Sequence, residues 1–255
     1  MKKILFLVSL SLFASFAVSC AREAKETATS QAVVTNDVAM LVSETDALLI
    51  YKPAMHGGIE LSCGYNDMPP KDTSTIFFAA AAYTKVYGQS EFNHDLVAGP
   101  HLNNGYFDGY ECPANSGAFY YIPAERKWGF VQEDVESVFR IIANTYAECS
   151  GFSQVMLLYN GEQCGISLEA KPAKRALRRA LCELNNELCV IDSKGKVSMY
   201  KFTESLKALG VSNGLYMDMG SMKYSAYKST QDSDWKEIYK PNSRTRYCSN
   251  YLIFN

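Results

Sequence analysis

Between Leu188 and Asp218 the hydrophobic pattern changes period twice. Leu188 to Asp192 reads as a strand, Ser193-Lys194-Gly195-Lys196 as a turn, and Phe202, Leu206 and Leu209 fall on one helical face that stops at Gly210. Asn213-Gly214 then introduces a second strand, Leu215 to Met217, which delivers Asp218 at its carboxyl end. A strand, a helix and a returning strand point to an α/β arrangement, and acids at such strand ends commonly carry function.

Other segments alternate in the same way. Val38 to Val42 and Ala47 to Tyr51 flank the turn-like Ser43-Glu44-Thr45-Asp46 and suggest a hairpin. Thr75 to Ala82 is a continuous apolar run, read as a buried strand, and Ala118 to Ile122 is another, ended by Pro123. Val135, Val138, Phe139, Ile142 and Tyr146 lie on one face of a helix from about Glu133 to Glu148. Gln154 to Tyr159 leads into Asn160-Gly161, a hairpin turn. The expected fold is mixed α/β (α+β), a single domain with twisted mixed sheets, an amphipathic helix near 133–148 and a strand-helix-strand unit near 188–218.

The start of the chain carries a different message. Lys2 and Lys3 precede a run from Ile4 to Val18 made only of apolar residues and Ser, too short to span a bilayer comfortably but suited to a secretory signal. The run closes on Ala17-Val18-Ser19-Cys20, which resembles the lipobox of bacterial lipoproteins. That resemblance implies a signal peptide over 1–19, acylation of Cys20, and attachment to the bacterial cell envelope on its periplasmic or cell-surface side. Residues 20–35 hold no aromatic side chain and read as a flexible tether. No later stretch suggests a linker and no repeat is visible, so 36–255 is expected to form one domain.

Charge and cysteines narrow the class further. Without residues 1–19 the chain has 23 basic against 27 acidic side chains, which argues against a nucleic-acid partner. Export would permit disulfides, and of the seven cysteines beyond Cys20 only Cys182 and Cys189 can be paired from sequence. The turn Leu184-Asn185-Asn186-Glu187 places them opposite each other on adjacent strands, as a candidate disulfide or as two thiols on one sheet face.

The stretch from Arg178 to Ser221, RRALCELNNELCVIDSKGKVSMYKFTESLKALGVSNGLYMDMGS, resembles the C-terminal core of the phosphodiester glycosidase family, that of the mannose 6-phosphate uncovering enzyme. There an arginine opens a strand, a hairpin and a helix follow, and a returning strand runs into an aspartate followed by glycines and serines. Upstream, SGFSQVMLLYNGEQC, from Ser150 to Cys164, resembles the family's small-residue turn, strand and hairpin. The resemblance implies hydrolysis of a sugar joined through its anomeric carbon to a phosphodiester. It places Asp218 on the family aspartate, Arg178 or Arg179 on the arginine, and Ser221 in the loop that follows. A guanidinium can hold phosphate oxygens bidentately, and a carboxylate can serve as base, nucleophile or stabiliser at an oxocarbenium-like centre.

Two departures stand out. Met219-Gly220-Ser221-Met222 replaces a glycine-rich run after the aspartate, and the family's early asparagine motif matches either Asn103-Asn104-Gly105-Tyr106-Phe107 or, on strand context, Ala80-Ala81-Ala82-Tyr83, where the asparagine is lost. The segment between holds His94, Asp95, His101, Asn103, Asn104 and Asp108, with two of the three histidines of the chain. It reads as a site wall in which His94 or His101 moves a proton and Asn103 and Asn104 bind substrate, or as a loop bonded to its own backbone. The His94 to His101 spacing fits no helical metal-ligand pair, so neither a metal nor another cofactor is expected. Lys174, Arg175, Arg178 and Arg179 form a basic cluster able to hold an anion. The sequence therefore points to a lipid-anchored hydrolase of a sugar phosphodiester or related glycan, with a carbohydrate or sugar-phosphate substrate. Its counterpart is a non-enzymatic glycan-binding or surface-structural lipoprotein on the same fold.

Overall fold

Three two-residue turns set the geometry of most of the chain. Asn104-Gly105, Asn160-Gly161 and Asn185-Asn186 all have positive φ at both positions, the type I′ pattern whose twist matches a tight hairpin. A two-residue turn can only join antiparallel neighbours.

The computed structural model describes residues 38–54, 57–63, 73–84, 97–109, 112, 115–164, 174–220 and 223–255. The expected signal, Cys20 and tether lie outside these residues, as do His94 and Ser221. The strands, in chain order, are β1 (Met40–Glu44), β2 (Leu48–Pro53), β3 (Ile59–Cys63), β4 (Phe77–Ala80), β5 (His101–Asn103), β6 (Tyr106–Asp108), β7 (Gly117–Ile122), β8 (Lys127–Val131) and β9 (Ser150–Gln154). They continue with β10 (Met156–Tyr159), β11 (Glu162–Gln163), β12 (Arg179–Leu184), β13 (Glu187–Ser193), β14 (Val211–Met217), β15 (Ser225–Tyr227), β16 (Lys236–Tyr239) and β17 (Asn250–Phe254). Two α-helices, α1 (Val135–Thr145) and α2 (Met199–Leu209), and two short 3-10 turns, Pro123–Glu125 and Thr245–Tyr247, complete the regular structure of the described residues.

The strands form a seven-stranded sheet, β1-β2-β13-β12-β14-β10-β11, and two five-stranded sheets, β16-β15-β4-β17-β3 and β6-β5-β9-β7-β8. Every strand pairing in them is antiparallel. The expected mixed α/β fold with mixed sheets is thus overturned: the protein is mostly β. The strand-helix-strand unit exists as β13, α2 and β14, but β12 lies between its two strands and pairs with both. The two strands that run the same way never touch, so the crossover creates no parallel ladder. Asn213-Gly214, expected to precede the second strand, lies inside β14 beside a register shift on β12.

Strands alternate their side chains between two faces, and here both faces are covered. Leu181, Val190 and Leu215 of the seven-stranded sheet meet Leu61, Phe77 and Phe254 of the second and Phe119 and Phe152 of the third in one central core. Ala180, Cys182, Cys189 and Ile191, one residue out of phase, pack against Phe202 and Leu206 of α2. Leu102 and Ala118 of the third sheet pack against Phe139 and Ile142 of α1. α2 is held at its start by Ser198, whose Oγ accepts the Lys201 N–H at 3.1 Å, and ends on left-handed Gly210 (φ 90°). The stretch expected as one strand from Gln154 to Tyr159 belongs to two sheets: β9 ends at Gln154 and β10 starts at Met156.

Two pairs on β12 and β13 show what the register does. Cys182 and Cys189 are direct partners and stand as thiols, with the Cys189 Sγ donating to the Cys182 carbonyl at 3.7 Å. Burial pushes the Cys189 thiol up to about 12. Arg179 and Asp192 are also partners and form a fully buried bidentate ion pair, Nε to Oδ1 at 2.6 Å and Nη2 to Oδ2 at 2.7 Å. Removing one member of such a pair leaves an uncompensated charge in the core. Asp192→Ala is expected to lower the unfolding free energy by about 3–5 kcal/mol, whereas Arg179→Met combined with Asp192→Leu loses far less. Urea unfolding followed by circular dichroism measures both.

Candidate functional site

Asp218 is the first residue after β14, and its position is fixed by the next sheet. Its N–H donates to the carbonyl of Ala81, just past β4, at 2.8 Å, so the end of the seven-stranded sheet is stitched to the end of the second. The Asp218 carboxyl turns back on its own chain, Oδ1 accepting the Gly220 N–H at 2.8 Å. Only 8% of the residue is exposed. Burial holds the carboxyl above the ordinary carboxylate range, with the Gly220 bond pulling the other way.

The segment that receives Asp218 is clamped from its other side. Asn250, at the start of β17 and fully buried, accepts the Ala82 N–H on Oδ1 at 2.7 Å and donates from Nδ2 to the Ala82 carbonyl at 3.2 Å. Nδ2 also donates to Ser249 Oγ at 3.0 Å. One amide thereby stands in for the ladder that β4 leaves off at Ala80. The Ser249 N–H donates to Thr84 Oγ1 at 3.0 Å, fixing the next residues.

This clamp presents Tyr83 beside Asp218. The Tyr83 ring lies 6.1 Å from that of Tyr216, and the Arg178 guanidinium lies 5.9 Å from the Tyr216 ring centre. The Tyr83 hydroxyl is raised well above its ordinary value, first by burial, then by Tyr216 and Asp218, while Arg178 lowers it. Tyr216 is raised by burial and also responds to Arg178 and Asp218. Arg178, Tyr216, Tyr83 and Asp218 thus share one field. The Arg178 side chain donates to the Lys174 carbonyl at 3.0 Å and to the Val197 carbonyl at 3.4 Å.

The sequence candidates are distributed unevenly. Arg179 opens β12 and Arg178 directly precedes it, and the two part company: Arg178 borders the Asp218 cluster, and Arg179 is committed to Asp192 in the core. His101 lies in β5 of the third sheet, buried, its Nδ1 donating to the Gly99 carbonyl at 3.1 Å. Asn103 ends β5, paired with Tyr106, and Asn104 begins the turn of the β5–β6 hairpin in the left-handed conformation (φ 47°) that the turn requires. Among the described residues no three His, Cys, Asp or Glu side chains gather as a metal site. Tyr216 was within reach of sequence reasoning, since it shares a strand face with Asp218 two residues on. Asn250 was not, because an isolated asparagine before the apolar run Tyr251 to Phe254 carries no local signal.

No protein-family model matches the chain, and no curated protein matches it in sequence. Among solved structures, the chain is similar in fold to the catalytic domain of zebrafish N-acetylglucosamine-1-phosphodiester α-N-acetylglucosaminidase, auto-inhibited by its pro-peptide. The TM-score is 0.55 at 12% identity, over 86% of this chain and 81% of that one. A hypothetical protein from Synechocystis gives a TM-score of 0.46 at 12% identity, over 84% of this chain and 61% of that one. The first of these establishes a distant fold likeness.

Two outcomes test the site's construction. A carboxyl raised in the folded state binds its proton more tightly there than in the unfolded chain. Asp218 therefore withdraws stability as pH rises from the ordinary carboxylate value through its own higher one. Asp218→Asn keeps an oxygen for the Gly220 N–H and is expected to be more stable than the parent at pH 7, the gap closing in acid. Urea midpoints across pH measure it. Asn250→Leu strands the Ala82 N–H and carbonyl and is expected to cost about 1–3 kcal/mol for each group left unpaired, read in the same assay.

Proposed function

We propose that the chain hydrolyses a sugar phosphodiester or a related glycan linkage while anchored to the bacterial envelope through Cys20. The observation that carries this reading is the placement of Asp218, a buried carboxyl directly after β14, with the Arg178 guanidinium 5.9 Å from the Tyr216 ring centre and both charges acting on the Tyr216 hydroxyl. A guanidinium and a carboxyl gathered about one tyrosine can engage the two parts of a sugar phosphodiester at once. Arg178 would take the non-bridging phosphate oxygens, whose planar spacing fits its paired N–H groups. Asp218, with Oδ1 held by Gly220, offers Oδ2 at the anomeric centre as acid or nucleophile.

The raised affinity of Asp218 for its proton suits the acid role, in which the bridging oxygen is protonated as the anomeric bond breaks. Support also comes from the fold neighbour, by name an N-acetylglucosamine-1-phosphodiester α-N-acetylglucosaminidase. The counterpart reading, a glycan-binding protein without catalysis, draws on Met219, a buried side chain directly after Asp218 where the resembled family carries glycine.

Release of free sugar from a panel of sugar-1-phosphodiesters separates the two. Asp218→Asn is expected to reduce turnover by about 10²–10⁴-fold, the usual range for loss of a positioned acid or base. Arg178→Met is expected to raise KM. Equal rates for parent and Asp218→Asn, or no release by either, would leave the binding role. Anchoring is read independently: Cys20→Ser is expected to move the protein from the membrane pellet to the soluble fraction.

A further inference from the structure

An open cavity of about 460 Å³ lies where the start of β7, the end of β9 and the first turn of α1 meet. Asn115, Ser116 and Ser153 line its strand side, and Gln132 and Ser137 its helix side. The Asn115 amide is locked: Nδ2 donates to the Ala98 carbonyl at 3.0 Å, the Ser153 carbonyl at 3.1 Å and Ser153 Oγ at 2.8 Å. These walls offer amides and hydroxyls, groups that both donate and accept.

The charged side chains of the cavity disfavour an anion. Asp134 and Glu136 supply two carboxylates, and the lining cation, Arg140, is already bound to Glu136 Oε1 from Nε at 3.0 Å and Nη2 at 2.8 Å. A phosphate would meet net negative charge there. Carboxylates, amides and hydroxyls together fit a ligand that brings many hydroxyl donors and no negative charge.

The cavity is one strand away from Asp218. The Ser116 N–H donates to the Gln154 carbonyl at 3.0 Å, and Ser116 Oγ accepts the Met156 N–H at 3.0 Å. The residue between, Val155, accepts the Tyr216 N–H on its carbonyl at 2.9 Å. The same backbone that forms the cavity wall therefore sets the strand carrying Tyr216 and Asp218. Cys112 lines the cavity and also bears on the Tyr83 hydroxyl.

We propose that this cavity is a subsite for a neutral, hydroxyl-rich group, a hexose-like ring of the substrate whose phosphate lies at Arg178. The proposal rests on the reading of Asp218 and Arg178 as the reacting pair. The division of labour is chemical: the anionic end of the substrate goes to the arginine and the polyol to the pocket whose carboxylates disfavour an anion.

Ligand-observed NMR on the full chain tests it, with methyl α-glucoside and methyl N-acetyl-α-glucosaminide as probes and inorganic phosphate as competitor. At least one glycoside is expected to bind, to weaken about tenfold or more in Ser137→Trp and in Gln132→Trp, and to resist displacement by phosphate. Both substitutions are at exposed positions, so either can stand in for the other if one fails to fold. Absence of glycoside binding, binding untouched by both variants, or displacement by phosphate would overturn the subsite. Glycoside binding lost in the variants, with no phosphodiester hydrolysis by the parent, sinks the catalytic reading and leaves the cavity. Hydrolysis that depends on Asp218, with KM unchanged in both cavity variants, sinks the cavity and leaves catalysis.

Discussion

A single backbone hydrogen bond, from the Asp218 N–H to the Ala81 carbonyl, ties the residue that follows β14 to the residue that follows β4, in another sheet. It forms just past β4, which stops at Ala80 and leaves the Ala81 carbonyl outside that strand. It persists because Asn250 holds the following residue from behind. Side-chain packing alone fixes distances to within a rotamer, whereas a ladder bond fixes a backbone atom. The carboxyl of Asp218 is therefore placed by two sheets and one amide, and Tyr83 is brought to it by the same clamp.

The two adjacent arginines are both buried and differ in their partners. Arg179 is taken into the core, where Asp192 compensates it through a bidentate bond, and the pair belongs to the stability of the sheet. Arg178 is buried too, but its side chain bonds backbone carbonyls, which neutralise none of its charge. Its positive field reaches Tyr216 and Tyr83, as does the Asp218 carboxyl. A neighbouring pair of identical residues thus divides into structural and chemical roles.

Local periodicity made much of the chain legible. The hairpin of β1 and β2, the buried run at β4, the face of α1 and the β13-α2-β14 unit all follow from apolar spacing and turn residues, and each was in view from the sequence. The class was misjudged because a strand-helix-strand pattern does not say which strand will fill the gap between its two arms. That place is taken by β12, a partner from outside the unit. Asp218 and Arg178 were readable from local order and resemblance. Asn250 lies 168 residues from Ala82 along the chain, so the clamp depends on a contact that no local window contains.

Val155 separates two strands of one continuous run, β9 in the third sheet and β10 in the seven-stranded sheet. Chain continuity there ties the two sheets covalently at the point where both border the central core. Neither can peel away without dragging the other's strand from its ladder. Fluctuations of the cavity wall and of the Tyr216 strand are accordingly correlated, and opening of one is paid in the hydrogen bonds of both. In mechanical terms, the residue acts as a rivet between a surface pocket and a buried acid.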